Sequence, residues 1–565
     1  MTATAMPAEE FAYGLDVTGL DTASLGEALR AVVSDALSDP ARMARWAAEV
    51  AAADGAIGMN MLKRFAMQPP DAVASPAAGD KRFADAAWES NPLLAGTLES
   101  YLVRTRAAMR LIEESTLPDA TRRKARFAMT ILSDALAPSN VPWMNPSVVK
   151  AAVDSGGGSL VRGMQNYLDD VQHNAGKPRQ VDASAFTLGQ DLAATPGRVV
   201  HRNELMELIA YEPQTTKVHA NPLLCSPPWI NKYYIMDLAP GRSFIEWAVQ
   251  HGRQTFAISY RNPDASMADV GLEDYLRLGP LAAIDAIREI TGGASVDIAA
   301  LCLGGTLTAI AAAHLSAKNE GGRIGSITLT NTLIDFTEPG DLGVFTDEAT
   351  IARLESGMRE RGVLGAEKMG ATFDWMRAND LIWSYVVNNW FMGKAPPAFD
   401  ILRWNADTTN MPAAMHSQYL RTCYLKNALV EPGAVTLAGT PIDFGTIRAP
   451  LFVLGAEADH IAPWRSQFAT TQRVGSDDVT YTLSNAGHIA GIVNPANNPK
   501  AWHRSARVHR GDTPDQWLAR TEKQTGSWWT PWTAWAAERA GPLRAPYALP
   551  EGEAAPGTYA RASAS

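Results

Sequence analysis

From about Thr22 to Asn174, apolar residues recur at spacings of three and four, as in Leu102-Val103, Met109 and Leu111-Ile112, and this period predicts a run of helices. Pro, Gly and Asn interrupt it in PPDAVASPAAGDKRF (69–83) and APSNVPWMNPS (137–147), which read as loops. From Gly197 the pattern changes. Short β-branched or apolar runs at 198–203, 206–213, 221–229, 255–264, 296–305, 325–335, 449–460 and 479–488 alternate with helix-like stretches at 241–252, 273–293 and 306–318. Such alternation predicts βαβ units and a mostly parallel sheet. Residues 336–440 break the rhythm with helical or irregular sequence, an insertion large enough to form a lid. The expected organisation is a helical N-terminal domain over 1–195 and an α/β catalytic domain over 196–565, with the lid at about 336–440.

Composition narrows the class. Of 565 residues, 46% are hydrophobic and 19% charged, as in a folded globular chain. The net charge of −10 argues against general attraction to nucleic acid or anionic membranes. Three widely spaced cysteines, Cys225, Cys302 and Cys423, form neither a disulfide framework nor a CxxC metal pattern, so a reducing compartment is expected. The first residues lack a basic stretch followed by a long apolar run, and no apolar segment reaches membrane-spanning length; the expectation is a cytoplasmic protein. Near the C-terminus, Trp528, Trp529, Trp532 and Trp535 are expected to pack onto the domain, and 550–565 reads as a small-residue tail.

The segment ASVDIAALCLGGTLTAIAAAHL carries the strongest chemical signal. An apolar strand (296–301) runs into Cys302, then Gly304-Gly305, then a helix rich in Ala and Leu. This is the context of a nucleophile elbow, in which a sharp strand-to-helix turn lifts the nucleophile above the sheet. The usual form is G-x-S-x-G; here it is A-L-C-L-G, with Ala300 at the first small position. A helix N-terminus beneath Cys302 favours the thiolate. In the α/β-hydrolase order an acid and then a histidine follow the nucleophile, each in the loop after a late strand. Asp459 ends LFVLGAEAD and His488 follows VTYTLSNAG, 488 − 459 = 29 residues apart, enough for one helix and one strand. His488 is thus the expected general base and Asp459 its orienting acid. His460 adjoins Asp459 as a candidate pocket residue. The remaining histidines, including His201, His314 and His509, fit no catalytic slot and suggest no metal cluster, so neither metal nor cofactor is expected. The oxyanion donors should be the backbone N–H of Leu303 and one from the loop 226–231, with Ile230 or a neighbour placed to give it, since Pro227 and Pro228 have none.

Nine blocks then appear in an order that resembles the polyhydroxyalkanoate synthase family over roughly residues 90–545: NPSVVKAAVDSGGGSLVRGMQNYLDD, TPGRVVHRNELMELIAYEP, PPWINKYYIMDL, SYRNPD, LCLGGT, WNADTTNMP, ADHIAPW, GHIAGIVNP and SWWTPWTAW. The resemblance implies an α/β-hydrolase fold behind a helical N-terminal region. It also implies polymerisation of (R)-3-hydroxyacyl-CoA with release of CoA through acyl-Cys302, with Asp459 and His488 on the family's catalytic positions. Ala300 departs from the family form, which begins with Gly. The resemblance is to the single-subunit type, which implies a homodimer working on a growing polyester chain at the surface of cytoplasmic polymer granules. It further suggests that 336–440 covers the site and reorganises on activation. Arg403, Asn405 and Lys394 are candidate donors to CoA, and the Trp- and Tyr-rich stretch 383–404 is a candidate dry lining. Two rival readings stand beside it: a cysteine-dependent thioesterase or intracellular polyester depolymerase of the same fold, and a granule-coating protein without activity.

Overall fold

In the computed structural model, residues 21–562 are described. The first twenty residues, where no secretory signal was read, lie outside that range. Packing divides the described chain into two units, one running through Asp182 together with Gly370–Pro397, the other Ala183–Met369 with the chain from Ala398 onward.

The first unit is helical, as its period predicts. Its main helices before Asp182 are α1 (Thr22–Leu37), α2 (Pro40–Phe65), α3 (Pro92–Glu113), α4 (Asp119–Ala135), α5 (Pro146–Asp154) and α6 (Gly158–His173). Side-chain caps start four of them: Asp21, Asp39, Asn91 and Asn145 accept backbone N–H groups of the first turn, and Pro stands at the start of α2, α3 and α5. Ala28, Val32, Ile112 and Ala125 form one buried cluster, and Phe83, Trp88, Leu98 and Ala137 another. The sequence boundary of 195/196 and the single lid of 336–440 are drawn differently by the packing, because 370–397 seals onto α6. A Cβ at Gly163 would overlap the Trp390 carbonyl, so only glycine lets the two backbones meet there. Trp390 Nε1 donates to Asp170 Oδ2 (2.8 Å), and Asn166 Nδ2 to the Asn389 carbonyl (3.0 Å).

The second unit is built on a ten-stranded sheet. Its strands are β1 (Gly197–Arg202), β2 (Met206–Tyr211), β3 (Leu223–Ser226), β4 (Thr255–Tyr260), β5 (Val296–Leu301), β6 (Ile324–Thr330), β7 (Leu451–Ala456), β8 (Val479–Ser484), β9 (Trp502–Arg507) and β10 (Gln524–Thr525). The order is β1-β2-β4-β3-β5-β6-β7-β8-β9-β10. The run from β4 to β8 is parallel, while β1, β2, β9 and β10 join antiparallel. All eight predicted runs hold a strand. From β3 the chain moves outward to β4 and then crosses back to β5 on β3's other side, so the strand order reverses between β3 and β5. In open α/β sheets the crevice at the carboxyl ends of such strands is where ligands bind.

Helices α7 (Phe244–Gln250), α8 (Ala282–Thr291), α9 (Leu303–Ala317), α10 (Trp464–Arg473) and α11 (Trp529–Arg539) flank the sheet. The single helix expected at 273–293 is broken, because Pro280 has no N–H to bond and Gly279 leaves helical geometry (φ −93°, ψ −107°). Trp528, Trp529, Trp532 and Trp535 are buried against Phe244 and Phe452, in line with the packing role read for them. The tail is not loose. Val199 N–H bonds the Glu553 carbonyl (2.8 Å) and Ala555 N–H the Gly197 carbonyl (2.9 Å), which covers the free edge of β1. Among the described residues, no helix is long and apolar enough to cross a membrane.

Candidate active site

Cys302 stands between β5 and α9 with φ 50° and ψ −120°, a conformation that costs a non-glycine residue on the order of 1–3 kcal/mol. The surroundings hold it there. Cys302 N–H bonds the Thr330 carbonyl (2.9 Å), and the Cys302 carbonyl accepts from Gly305 N–H (2.9 Å), Thr306 N–H (3.2 Å) and Thr332 Oγ1 (3.1 Å). The two glycines are required by contact: a Cβ at Gly304 would run into the Ser226 and Pro227 carbonyls, and one at Gly305 into the Thr332 side chain. Ser226, at the end of β3, pairs in register with Ala300 on β5, so the two strands around the reversal end side by side at the elbow.

Asp459 lies just after β7 and His488 just after β8, each at a carboxyl end. Asp459 Oδ1 accepts the N–H groups of Ile461 (3.0 Å) and Ala462 (2.9 Å), while Oδ2 accepts Gln467 Nε2 (3.0 Å) and lies 2.7 Å from His488 Nδ1. With Nδ1 donating to an acceptor-only carboxylate, Nε2 is the nitrogen left to take up a proton. Cys302 is an electrostatic neighbour of the His488 ring. Burial works against the imidazolium, but the Asp459 charge and the Cys302 sulfur outweigh it and hold the His488 pKa well above its ordinary value. The structure therefore brings Cys302, His488 and Asp459 together, with His488 and Asp459 joined by a hydrogen bond.

The parts that set this arrangement include residues the sequence reading missed. Gln467, on α10, orients Asp459. Asn331 Nδ2 donates to the His488 carbonyl, and Trp528 and Trp529 donate their indole N–H groups to Gly491 (2.8 Å) and Ile492 (3.1 Å) in the turn after His488. Nothing local in the sequence marks such partners, which come from elements 8 to 157 residues away.

The pattern of the family described as poly-beta-hydroxybutyrate polymerase (PhaC) N-terminus matches residues 79–248, and that of the alpha/beta hydrolase fold matches 229–495. The chain is 43% identical over 538 residues to a poly(3-hydroxyalkanoate) polymerase of Methylorubrum extorquens, covering 94% of this chain and 88% of the relative. The chain belongs to the poly(3-hydroxyalkanoate) polymerase family. It is also 40% identical over 560 residues to poly(3-hydroxyalkanoate) polymerase 2 of Ectopseudomonas oleovorans, covering 98% and 97%. With the subunit PhaC of the Cupriavidus necator polymerase it shares 39% over 528 residues, covering 90% and 88%.

In this polymerase the loop after β3 crosses the start of α9 at Gly304, close to the elbow. Asn231 N–H is taken by Thr409 Oγ1 (2.9 Å). Among the described residues the N–H groups of Leu303 and Ile230 have no backbone acceptor, which leaves these two free. Two further tyrosines stand near the thiol. The Tyr419 and Tyr424 rings pack edge-on (5.4 Å), Cys302 is an electrostatic neighbour of both, and Trp229 packs edge-on against Tyr419 (5.7 Å). Of the stretch 383–404, read as a candidate lining, 383–397 belongs to the helical unit, and Trp404 is a core residue donating to the Lys232 carbonyl (2.7 Å). Arg403 and Asn405 lie in the short helix Asp400–Asn405, and His460 follows Asp459 with its carbonyl bonded by Asp341 N–H (3.0 Å). Lys394 is in the helical unit, where Nζ donates to Asn388 Oδ1 (2.9 Å).

Proposed function

We propose that Cys302 carries the acyl group in this polymerase, with His488 as its base and Asp459 holding the imidazole. The enzyme joins 3-hydroxyacyl units from their CoA thioesters into polyhydroxyalkanoate and releases CoA. The observation that supports the assignment most directly is the His488 ring, hydrogen-bonded through Nδ1 to Asp459 and in electrostatic contact with Cys302. His488 takes the thiol proton, the sulfur attacks the thioester carbonyl, and the oxyanion is met by the N–H groups of Leu303 and Ile230. The C–S bond to CoA breaks, CoA leaves with the proton from His488, and a thioester to Cys302 remains. Exchange of one thioester for another keeps the acyl group activated. The 3-hydroxyl of a second unit then gives its proton to His488 and attacks this carbonyl, so an oxygen ester forms and Cys302 is restored as a thiol. Water would divert the same intermediate to hydrolysis, and the cover of Trp229, Tyr419 and Tyr424 works against it.

In this reading Arg403, Asn405 and His460 meet the anionic CoA. Among the described residues, Arg403 Nε is buried without a hydrogen-bond partner and is available to such a ligand. The same reading includes a homodimer in the cytoplasm at the surface of polymer granules. An apolar polyester surface is matched by α5 and α6, which leave Val149, Val153, Leu160, Val161, Met164 and Leu168 exposed.

The test supplies (R)-3-hydroxybutyryl-CoA to purified protein and follows free thiol and turbidity, with Cys302→Ala as control. CoA release with rising turbidity, both lost in the control, is the expected result. Release of soluble hydroxy acid would replace polymerisation by thioester hydrolysis, and an active Cys302→Ala variant would overturn the nucleophile.

A further inference from the structure

Lys232 follows the loop that carries Ile230, and it is almost wholly buried (3% exposed). Among the described residues, no carboxylate is hydrogen-bonded to its ammonium. Instead Nζ donates to two backbone carbonyls of the C-terminal tail, those of Tyr559 (3.2 Å) and Ala562. A buried lysine held by neutral acceptors is costly, and burial lowers its pKa with only Asp407 opposing. The loop backbone is anchored at the same place: Trp404 Nε1 bonds the Lys232 carbonyl, and Asn231, at φ 62°, gives its N–H to Thr409. The tail is fixed in turn. Tyr559 N–H bonds the buried Glu207 carboxylate (3.0 Å), and Tyr559 OH bonds the Asn203 carbonyl (2.8 Å).

We propose that Lys232 is a positioning residue, which ties the C-terminal tail to the loop after β3 and so fixes the Ile230 N–H at the site of the oxyanion. The proposal rests on the reading of Cys302 as nucleophile and Ile230 as donor. It assigns a role in acyl transfer to a tail whose composition suggests none. A group that fixes an oxyanion donor matters only where an oxyanion forms. Attack of Cys302 on a thioester forms one, whereas its alkylation by iodoacetamide, a displacement of iodide at saturated carbon, does not.

The experiment compares Lys232→Met with the wild-type full chain in two assays: kcat and KM for CoA release from (R)-3-hydroxybutyryl-CoA, and the rate of Cys302 alkylation. The expected result is a fall in kcat of about tenfold to a hundredfold, short of the roughly 10²–10³-fold loss when a donor is removed outright, with alkylation within about twofold of wild type. Tyr559→Ala, which loosens the tail and leaves Lys232 in place, should give the same split and decides the question if Lys232→Met does not fold. Unchanged kcat in the variants, or kcat and alkylation falling together, overturns the proposal. If wild type releases no CoA, or Cys302→Ala still does, the nucleophile reading itself fails and this inference falls with it.

Discussion

Trp528 donates its indole N–H to the Gly491 carbonyl over 2.8 Å, three residues beyond His488. The bond is buried, so Trp528→Phe leaves that carbonyl without a donor at a cost of about 1–3 kcal/mol. The turn that carries His488 loosens with it. A lower midpoint in chemical denaturation and a several-fold loss of turnover are expected; unchanged values in both would dissociate the tryptophan helix from the histidine loop.

Small residues at the elbow are not equivalent. Gly304→Ala drives a Cβ into the backbone carbonyls of Ser226 and Pro227, which have no side-chain freedom with which to yield. Loss of about 1–3 kcal/mol and of most activity is expected. Ala300 already sits fully buried in β5, where its Cβ is accommodated. Ala300→Gly therefore changes kcat little and lowers stability by about 0.5–1 kcal/mol through strand entropy. Thermal melts and steady-state CoA release on the two variants separate these outcomes.

Asp459→Asn keeps the shape but offers an amide to the imidazole and no longer fixes Nδ1 as the protonated nitrogen. Turnover should fall about 10²–10⁴-fold with the fold retained. The pH dependence has a definite sign. His488 is held above its ordinary value, so its contribution to stability is complete below the unfolded value of 6.5 and is lost as pH rises through the higher folded value. The stability gap between wild type and Asp459→Asn should thus narrow in alkali, and a gap that widens there would contradict the charged pair.

Asp237 works in the opposite sense from an ordinary surface carboxylate. Burial pushes its pKa up to about 6, against the hydrogen bonds of Thr195 Oγ1 (2.5 Å) and Ser243 Oγ (2.7 Å). Its contribution is complete below the unfolded value of 3.8 and is lost as pH rises through about 6. From the difference of these two values, Asp237→Asn should gain relative stability with rising pH across this window, by up to about 3 kcal/mol, and level off above it. Denaturation midpoints of both proteins against pH check this; a flat difference would rule it out.

The strands β1 to β8, the elbow and the loops that carry Asp459 and His488 were legible in the sequence because each has a local cause. Buried parallel strands are apolar runs, an elbow needs small residues around its nucleophile, and strand-end loops follow the strands. The late strands β9 and β10 were not read, since WHRSAR is half-exposed near the end of the sheet and carries the polar residues of a loop. The division of the insertion, with 370–397 packed on α6, was hidden for another reason: Gly163 opposite Trp390 is a contact across the chain with no local signature.

The sequence by itself determined which chemical groups this protein holds and in what order: Cys302, then Asp459, then His488, each at the end of a strand. Only the tertiary structure decided their arrangement, because a hydrogen bond between residues 29 apart depends on how β7 and β8 are laid side by side. It also decided what surrounds them. Gln467, Asn331, Trp528 and Lys232 became partners of the site through packing, which brings distant polar groups together because buried N–H and C=O groups must find one another.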